Sequence, residues 1–357
     1  MTSFEHEDFG LTAAELWDDP RKTFHALDDR LSDEGFTGLR IAAPRLVPLG
    51  VRETVPLLVY HSATFEERRR SSFDDHGAIV AIDVLSNVTY ARSPVEHDGE
   101  EVKPRRDPPT KPAPKGLTSQ LFVTDLRDRL RLPWTRARYV VVALLRDQMS
   151  NRLVIEVDRP PGTFRDEEVE RFLEAQRVER ADKDVWPEPG NPYPHFRREP
   201  AHPSVPQSVG ISLVADRVSV RRPEGALPGS AFGRCVVRAS FRLPVLPHEL
   251  LATSGESAPG AAPTALVRIG LVILGADDGN PLVLRLRVPS FDPIVGGGQP
   301  VVTGHFALDL LAMDEMPERA QTYFVYAFSG EEMAGPVPAA VVDEASLPSV
   351  STGPEEG

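Results

Sequence analysis

The chain has nine histidines, and no two stand in the H-x-H or H-x3-H spacing that turns a pair of imidazoles toward one metal. His195 and His202 come nearest. They share one segment, beside Tyr193, and could form a metal or proton-transfer site in a cleft between domains. His305 flanks Phe306, and its counterpart in the internal repeat described below is Leu121, so any special role would belong to one copy only. Asp125 and Asp309 occur once in each copy, which points to a repeated turn or a side-chain bond to backbone rather than to a catalytic carboxylate pair. Asp277-Asp278-Gly279-Asn280 lacks the spaced acids and distal glutamate of a calcium loop and reads as a hairpin turn. Gly296-Gly297-Gly298 lacks the strand–helix context of a phosphate loop, and no Walker A, G-x-G-x-x-G, H-E-x-x-H or G-x-S-x-G pattern occurs. Cys235 is the sole cysteine. It excludes an intramolecular disulfide and a thiolate zinc cage, and is expected to pack as a small buried hydrophobe. These residues predict no catalytic centre, no cofactor and no metal.

Composition narrows the partners. The net charge is −13 among 357 residues, and an acidic surface repels both nucleic acid and anionic membranes. The basic runs at Arg68-Arg69-Arg70 and at Lys103, Arg105 and Arg106 sit beside acids and read as solvated surface. The opening MTSFEHEDFG is acidic rather than apolar, unlike a signal peptide, and the longest purely apolar run, Val140 to Leu145, is too short to cross a bilayer. The expectation is a cytoplasmic protein. The 35 prolines are about twice the usual share, which disfavours long helices and favours strands joined by turns and straps.

The elements that position these residues come in two copies. Residues 118–157 align without a gap on 302–341, every pair 184 apart. Phe122 meets Phe306, Asp125-Leu126 meets Asp309-Leu310, and Pro133 meets Pro317. Tyr139, Val141 and Ala143 meet Tyr323, Val325 and Ala327, and Met149 meets Met333. Upstream, GLRIAAPRL from Gly38 echoes GISLVADRV from Gly210, sharing Ala43/Ala215 and Arg45/Arg217, and Arg92-Ser93-Pro94 is set against Arg287-Val288-Pro289. Self-similarity of this kind marks a repeated structural unit.

Within each copy the period is two. Cys235, Val237, Ala239, Phe241 and Leu243 alternate with Arg234, Val236, Arg238, Ser240 and Arg242, predicting a half-buried strand with a solvated basic face. Leu282, Leu284 and Leu286 alternate with Arg285 and Arg287 in the same way. Tyr139–Leu145 and Tyr323–Phe328 read as strands closed by turns at Asp147–Asn151 and Gly330–Gly335. Both strands are apolar on both faces, so each must be covered twice. The outer face is covered by a loop, a helix or the sister domain, or Phe324, Tyr326 and Phe328 form a surface for a partner or for a second copy.

Outside the repeats, residues 12–34 read as one or two helices. Thr12 and Glu15 make a capping box, Asp19-Pro20 an N-cap with proline at N1, and Phe24, Leu27 and Leu31 one apolar stripe. A second helix is expected from Thr163 to about Ala181. A strap follows from Trp186 to Ser208 with seven prolines, extended and semi-rigid, whose Trp186, Tyr193 and Phe196 would pack along a surface. The 93–115 loop reads as charged and mobile and the tail after Ser346 as disordered.

The sequence therefore predicts a mainly all-β chain. It comprises an N-terminal helical arm (1–35), a β-sandwich (36–158), a helix and strap (159–207), a second related sandwich (208–343) and an acidic tail (344–357). The Leu-x6-Pro-x5-Tyr pattern before each repeated strand resembles a tyrosine corner, which suggests immunoglobulin-like connectivity. The function expected is a non-enzymatic interaction or scaffold protein that binds another protein or itself. The alternatives are a small-molecule or glycan-binding module, or an enzyme or metal site near His195 and His202.

Overall fold

The structure, a computed structural model, describes residues 35–95, 116–158, 171, 200–221, 234–250, 265–277, 280–290, 300–313, 316 and 320–343. The expected arm, the 163–181 helix, most of the 93–115 loop, the tail, and Trp186, Tyr193, His195 and Phe196 lie outside these residues.

The first half contains β1 (Gly38–Ala42), β2 (Leu46–Pro48), β3 (Pro56–Thr64), β4 (Gly77–Asp83), β5 (Val88–Arg92), β6 (Leu117–Asp125), β7 (Ala137–Leu145), β8 (Gln148–Met149) and β9 (Leu153–Asp158). Two helical turns, α1 (Phe65–Arg70) and α2 (Phe73–His76), connect β3 to β4, and α3 (Leu126–Leu130) follows β6. The strands make a three-stranded sheet in the order β1-β3-β6 and a larger one in the order β2-β9-β7-β4-β5, with β8 on β7. The second half contains β10 (Gly210–Ala215), β11 (Val218–Arg221), β12 (Val236–Pro244), β13 (Ala265–Gly275), β14 (Leu282–Ser290), β15 (Val301–Asp309), β16 (Thr322–Ser329) and β17 (Glu332–Asp343). Its sheets run β10-β12-β15 and β11-β17-β16-β13-β14, which is the order of the first half strand for strand. In each half the short second strand pairs in parallel with the last one, and the other pairings are antiparallel.

Alternation decides what each strand buries. Leu57 and Val59 of β3 and Tyr139, Val141 and Ala143 of β7 join one core. Cys235, Val237, Ala239, Phe241 and Leu243 join its equivalent in the second half, facing Tyr323, Val325 and Ala327. Local hydrogen bonds repeat too. Asp125 Oδ1 accepts from Val55 N at 2.9 Å and from Arg127 N at 3.1 Å, capping α3. Asp309 Oδ1 accepts from Cys235 N at 2.9 Å and from Leu311 N at 3.2 Å. Each aspartate thus ties the end of one strand to the turn after another, satisfying amides the turn leaves open. Tyr139 Oη donates to the Pro133 carbonyl at 3.3 Å, closing the tyrosine-corner pattern in the first half.

Two sequence expectations need correction, one of alignment and one of burial. Asp83 and Gly275 each face the repeated tyrosine, Tyr139 or Tyr323. Register then makes Ile79 equivalent to Leu271, and their partners are Arg92 and Leu284. The echo of Arg92-Ser93-Pro94 in Arg287-Val288-Pro289 is therefore three residues out of register. The face of β12 expected to be solvated is covered at one place: Ser240 is fully buried beneath Pro203, while Val236, Arg238 and Arg242 are half-buried and Arg234 is exposed.

The larger sheets pack on each other. Ala78, Val80 and Ile82 of β4 and Val140, Val142 and Leu144 of β7 meet Val272, Leu274, Tyr326 and Phe328, with Phe324 partly buried alongside. Register makes these the same positions in both copies, so each half offers its equivalent face to the other. The result is four layers, a three-stranded sheet at each outer side and two five-stranded ladders within.

Candidate functional site

The outer apolar faces singled out in the sequence are consumed by this packing. Tyr326 and Phe328 are 0 % exposed, and their rings stack at 6.4 Å and 15°. Of the covers expected for this face, the sister copy is the one present over Tyr326 and Phe328, with Phe324 half-buried at its margin, because two sheets with apolar outer faces bury most area against each other. Tyr326 Oη donates to the carbonyls of Arg146 and, at 3.3 Å, Gln148. Arg146 Nη2 in turn donates to Ala276 O at 2.9 Å.

Polar groups line the same junction. Glu249 is buried and accepts from Asn87 Nδ2 at 3.1 Å, Arg268 N at 3.0 Å and Leu246 N at 2.9 Å. Burial raises its pKa, against those donors. Arg268 Nη1 donates to Ser86 O at 2.8 Å, and Arg285 Nε to Thr89 O at 3.0 Å. The cavity beside Arg268 and Gly270 measures about 10 Å³, room for a single water. Among the described residues this junction is a filled seam.

His202 and His305, flagged separately in the sequence, meet on the outer face of β10-β12-β15. Their rings lie 5.6 Å apart, edge to face. His202 Nε2 bonds Phe306 O at 3.1 Å, and a carbonyl only accepts, so Nε2 carries the proton. Ser240 Oγ lies 2.6 Å from Pro203 O and 2.8 Å from His305 Nδ1. Its hydroxyl proton goes to the carbonyl, so His305 Nδ1 donates to Ser240. In a nucleophile–base pair the hydroxyl would donate to the imidazole. Here that proton is committed elsewhere and the serine is buried, so the pair holds the strap to the sheet. Among the described residues, no group of three or more His, Cys, Asp or Glu is placed to hold a metal ion.

A second polar cluster escaped the sequence reading. His61 of β3 faces Gln120 of β6, on the core side of the sheet with Leu39. Gln120 Nε2 donates to Asp74 Oδ2, and Arg68 Nη1 to Ser119 O at 3.1 Å. His61 is 2 % exposed, and its Nδ1, like Asp74 Oδ1 and Gln120 Oε1, is buried without a hydrogen-bond partner. Burial first, then the Arg68 guanidinium, lowers the His61 pKa to about 4, with Glu67 opposing. Burial also raises the Asp74 pKa, the Gln120 bond opposing it. The equivalent register pair in the second half is Phe241 and Gly304. The signal was present in the repeat alignment, which sets Gln120 against Gly304.

Cys235 is fully buried, and burial pushes its thiol up to about 11, as expected of a packing residue rather than a nucleophile. No helix among the described residues is long and apolar enough to cross a membrane. No protein-family model matches the chain, and no curated protein matches it either.

Proposed function

We propose that this chain is a non-catalytic interaction or scaffold protein, in which two related immunoglobulin-like β-sandwiches are fused back to back. One observation carries the reading: the equivalent faces of the two larger sheets pack on each other. Apolar surface that would otherwise need a partner is thereby satisfied within the chain, and the three-stranded sheets are held at opposite sides of one body. Such an arrangement presents two separate surfaces to other proteins at a fixed spacing. The surfaces differ in chemistry. Around β1-β3-β6 the outward face carries Leu121, Val123 and Phe36, partly buried against Tyr60 and Leu58, whereas the second half pairs Ser240 with His305 where the first half pairs Tyr60 with Leu121. The committed Ser240 proton supports reading the Ser240–His305 pair as a structural tie.

The test is cross-linking of the tagged chain in its native lysate, with native mass measurement. A stoichiometric partner, or a defined homo-oligomer, cross-linked to the three-stranded sheets supports the scaffold reading. A partnerless monomer that turns over or tightly binds a small molecule overturns it.

A second reading is favoured by the meeting of His202 and His305: a ligand or metal site on the strap side of the second half, with His195 as a further candidate from the sequence. Calorimetric titration with Zn2+ and Ni2+ decides it. Stoichiometric binding lost in His202→Ala and His305→Ala supports this reading, and no heat with either ion removes it.

A further inference from the structure

We propose that α1 is a lid over His61 that opens when the pH falls. The lid has no fully buried anchor; its one apolar residue, Phe65, is half-buried. α1 contains no buried residue, whereas the next turn, α2, is fixed by Phe73, 1 % exposed and edge-on to Phe122 at 6.0 Å. What fixes α1 is polar: its Thr64–Glu67 capping box, Arg68 Nη1 on Ser119 O and Arg146 Nη2 on Arg70 O at 2.8 Å. Segments with few buried apolar contacts open at the lowest cost.

Beneath the lid sits an imidazole with a reason to leave. His61 Nδ1 is buried without a partner, and Arg68, the guanidinium that opposes its protonation, belongs to the lid itself. A proton on His61 is disfavoured with the lid closed, by burial and by Arg68, and is accepted once water reaches the ring. The facing groups are few. From α1 come Glu67, which favours the proton, and Arg68, which opposes it. From α2 come Asp74, with Asp75 and His76 beyond it. From β6 comes Gln120 and from β1 Leu39, both neutral. Asp74 works the other way, because its raised pKa favours the closed form as acid protonates it. The second half has no such device: Phe241 fills the His61 place, and a side chain at Gly304 would meet its ring at 2.4 Å.

With the closed-state pKa at about 4 and an ordinary value of about 6.5 once hydrated, lid opening should rise about 30-fold from pH 7.5 to pH 5.0. Amide hydrogen exchange of the full chain, corrected for intrinsic rates, reads this directly across residues 66–71, with β7 amides as the internal reference. The expected result is a rise of that order in the lid, no change in β7, and a flat lid in His61→Phe/Gln120→Gly, which imports the second half's pairing, and in His61→Gln. Lid amides of the wild type that keep their neutral protection at pH 5.0 overturn the proposal whatever the variants do. So does an equal rise in β7, or an undiminished rise in either variant.

Discussion

At the scale of single residues, two aspartates and one histidine show how far side-chain chemistry is set by place. Asp125 and Asp309 are not a carboxylate pair but twin caps, each accepting two amides. Asp309→Ala should cost about 1–2 kcal/mol. Asp309→Asn keeps an acceptor oxygen and should cost less. Urea unfolding of both variants checks the order, and equal losses would mean that the charge rather than the acceptor matters. His61 makes the opposite case. Its folded pKa lies below the unfolded value, so the unfolded chain binds its proton first. The contribution of neutral His61 to stability is whole above pH 6.5 and is lost as pH falls toward 4, by about 3 kcal/mol. Asp74, with its pKa raised, works in the opposite sense and trims the loss. The pH dependence of the melting temperature, wild type against His61→Gln, isolates the histidine: the two curves should diverge below pH 6.5 and run parallel above it.

At the scale of strands, the sequence was legible wherever one face was apolar and the other was not. The alternation in β12 and β14 named their buried residues correctly, because a half-buried strand carries its environment in its period. β7 and β16 were harder. Apolar residues on both sides state that two covers exist and not what they are, since covering is a long-range event that no local spacing encodes. The same gap hid His61, whose register neighbour Gln120 is distant in sequence and meets it only through the β3–β6 pairing. What the covers are worth can be measured. Phe328→Ala removes a fully buried ring from the seam and should cost about 3–5 kcal/mol. Tyr326→Phe removes only its bonds to the Arg146 and Gln148 carbonyls and should cost about 1 kcal/mol. Calorimetric melting that ranks them the other way would show that hydrogen bonds rather than packing hold the seam. Gly270 belongs to the same surface: a Cβ there would meet Thr89 Oγ1 at 2.0 Å. Gly270→Ala should therefore cost about 1–3 kcal/mol although it adds a single methyl group.

At the scale of the whole molecule, the two copies meet through equivalent faces, but their sequences have diverged to make the pairing one-sided. Where the first half contributes Val140, Val142 and Leu144, the second contributes Phe324, Tyr326 and Phe328 at the equivalent places. Small faces large across the seam. Two first halves brought together would leave gaps, and two second halves would crowd ring against ring, each at a cost. The covalent link is therefore not what selects the partner. The prediction is that a chain cut within residues 159–199, at an inserted protease site, stays together as a 1:1 complex through size exclusion and native mass measurement. Val142→Glu places a charge opposite the second half's apolar face, where burial without a counter-charge costs several kcal/mol, and should let the cut halves separate. Halves that part without that substitution would mean that the linker, not the seam, holds the four layers together. Homodimers of either half, formed in preference to the 1:1 complex, would mean that the size difference across the seam carries no specificity.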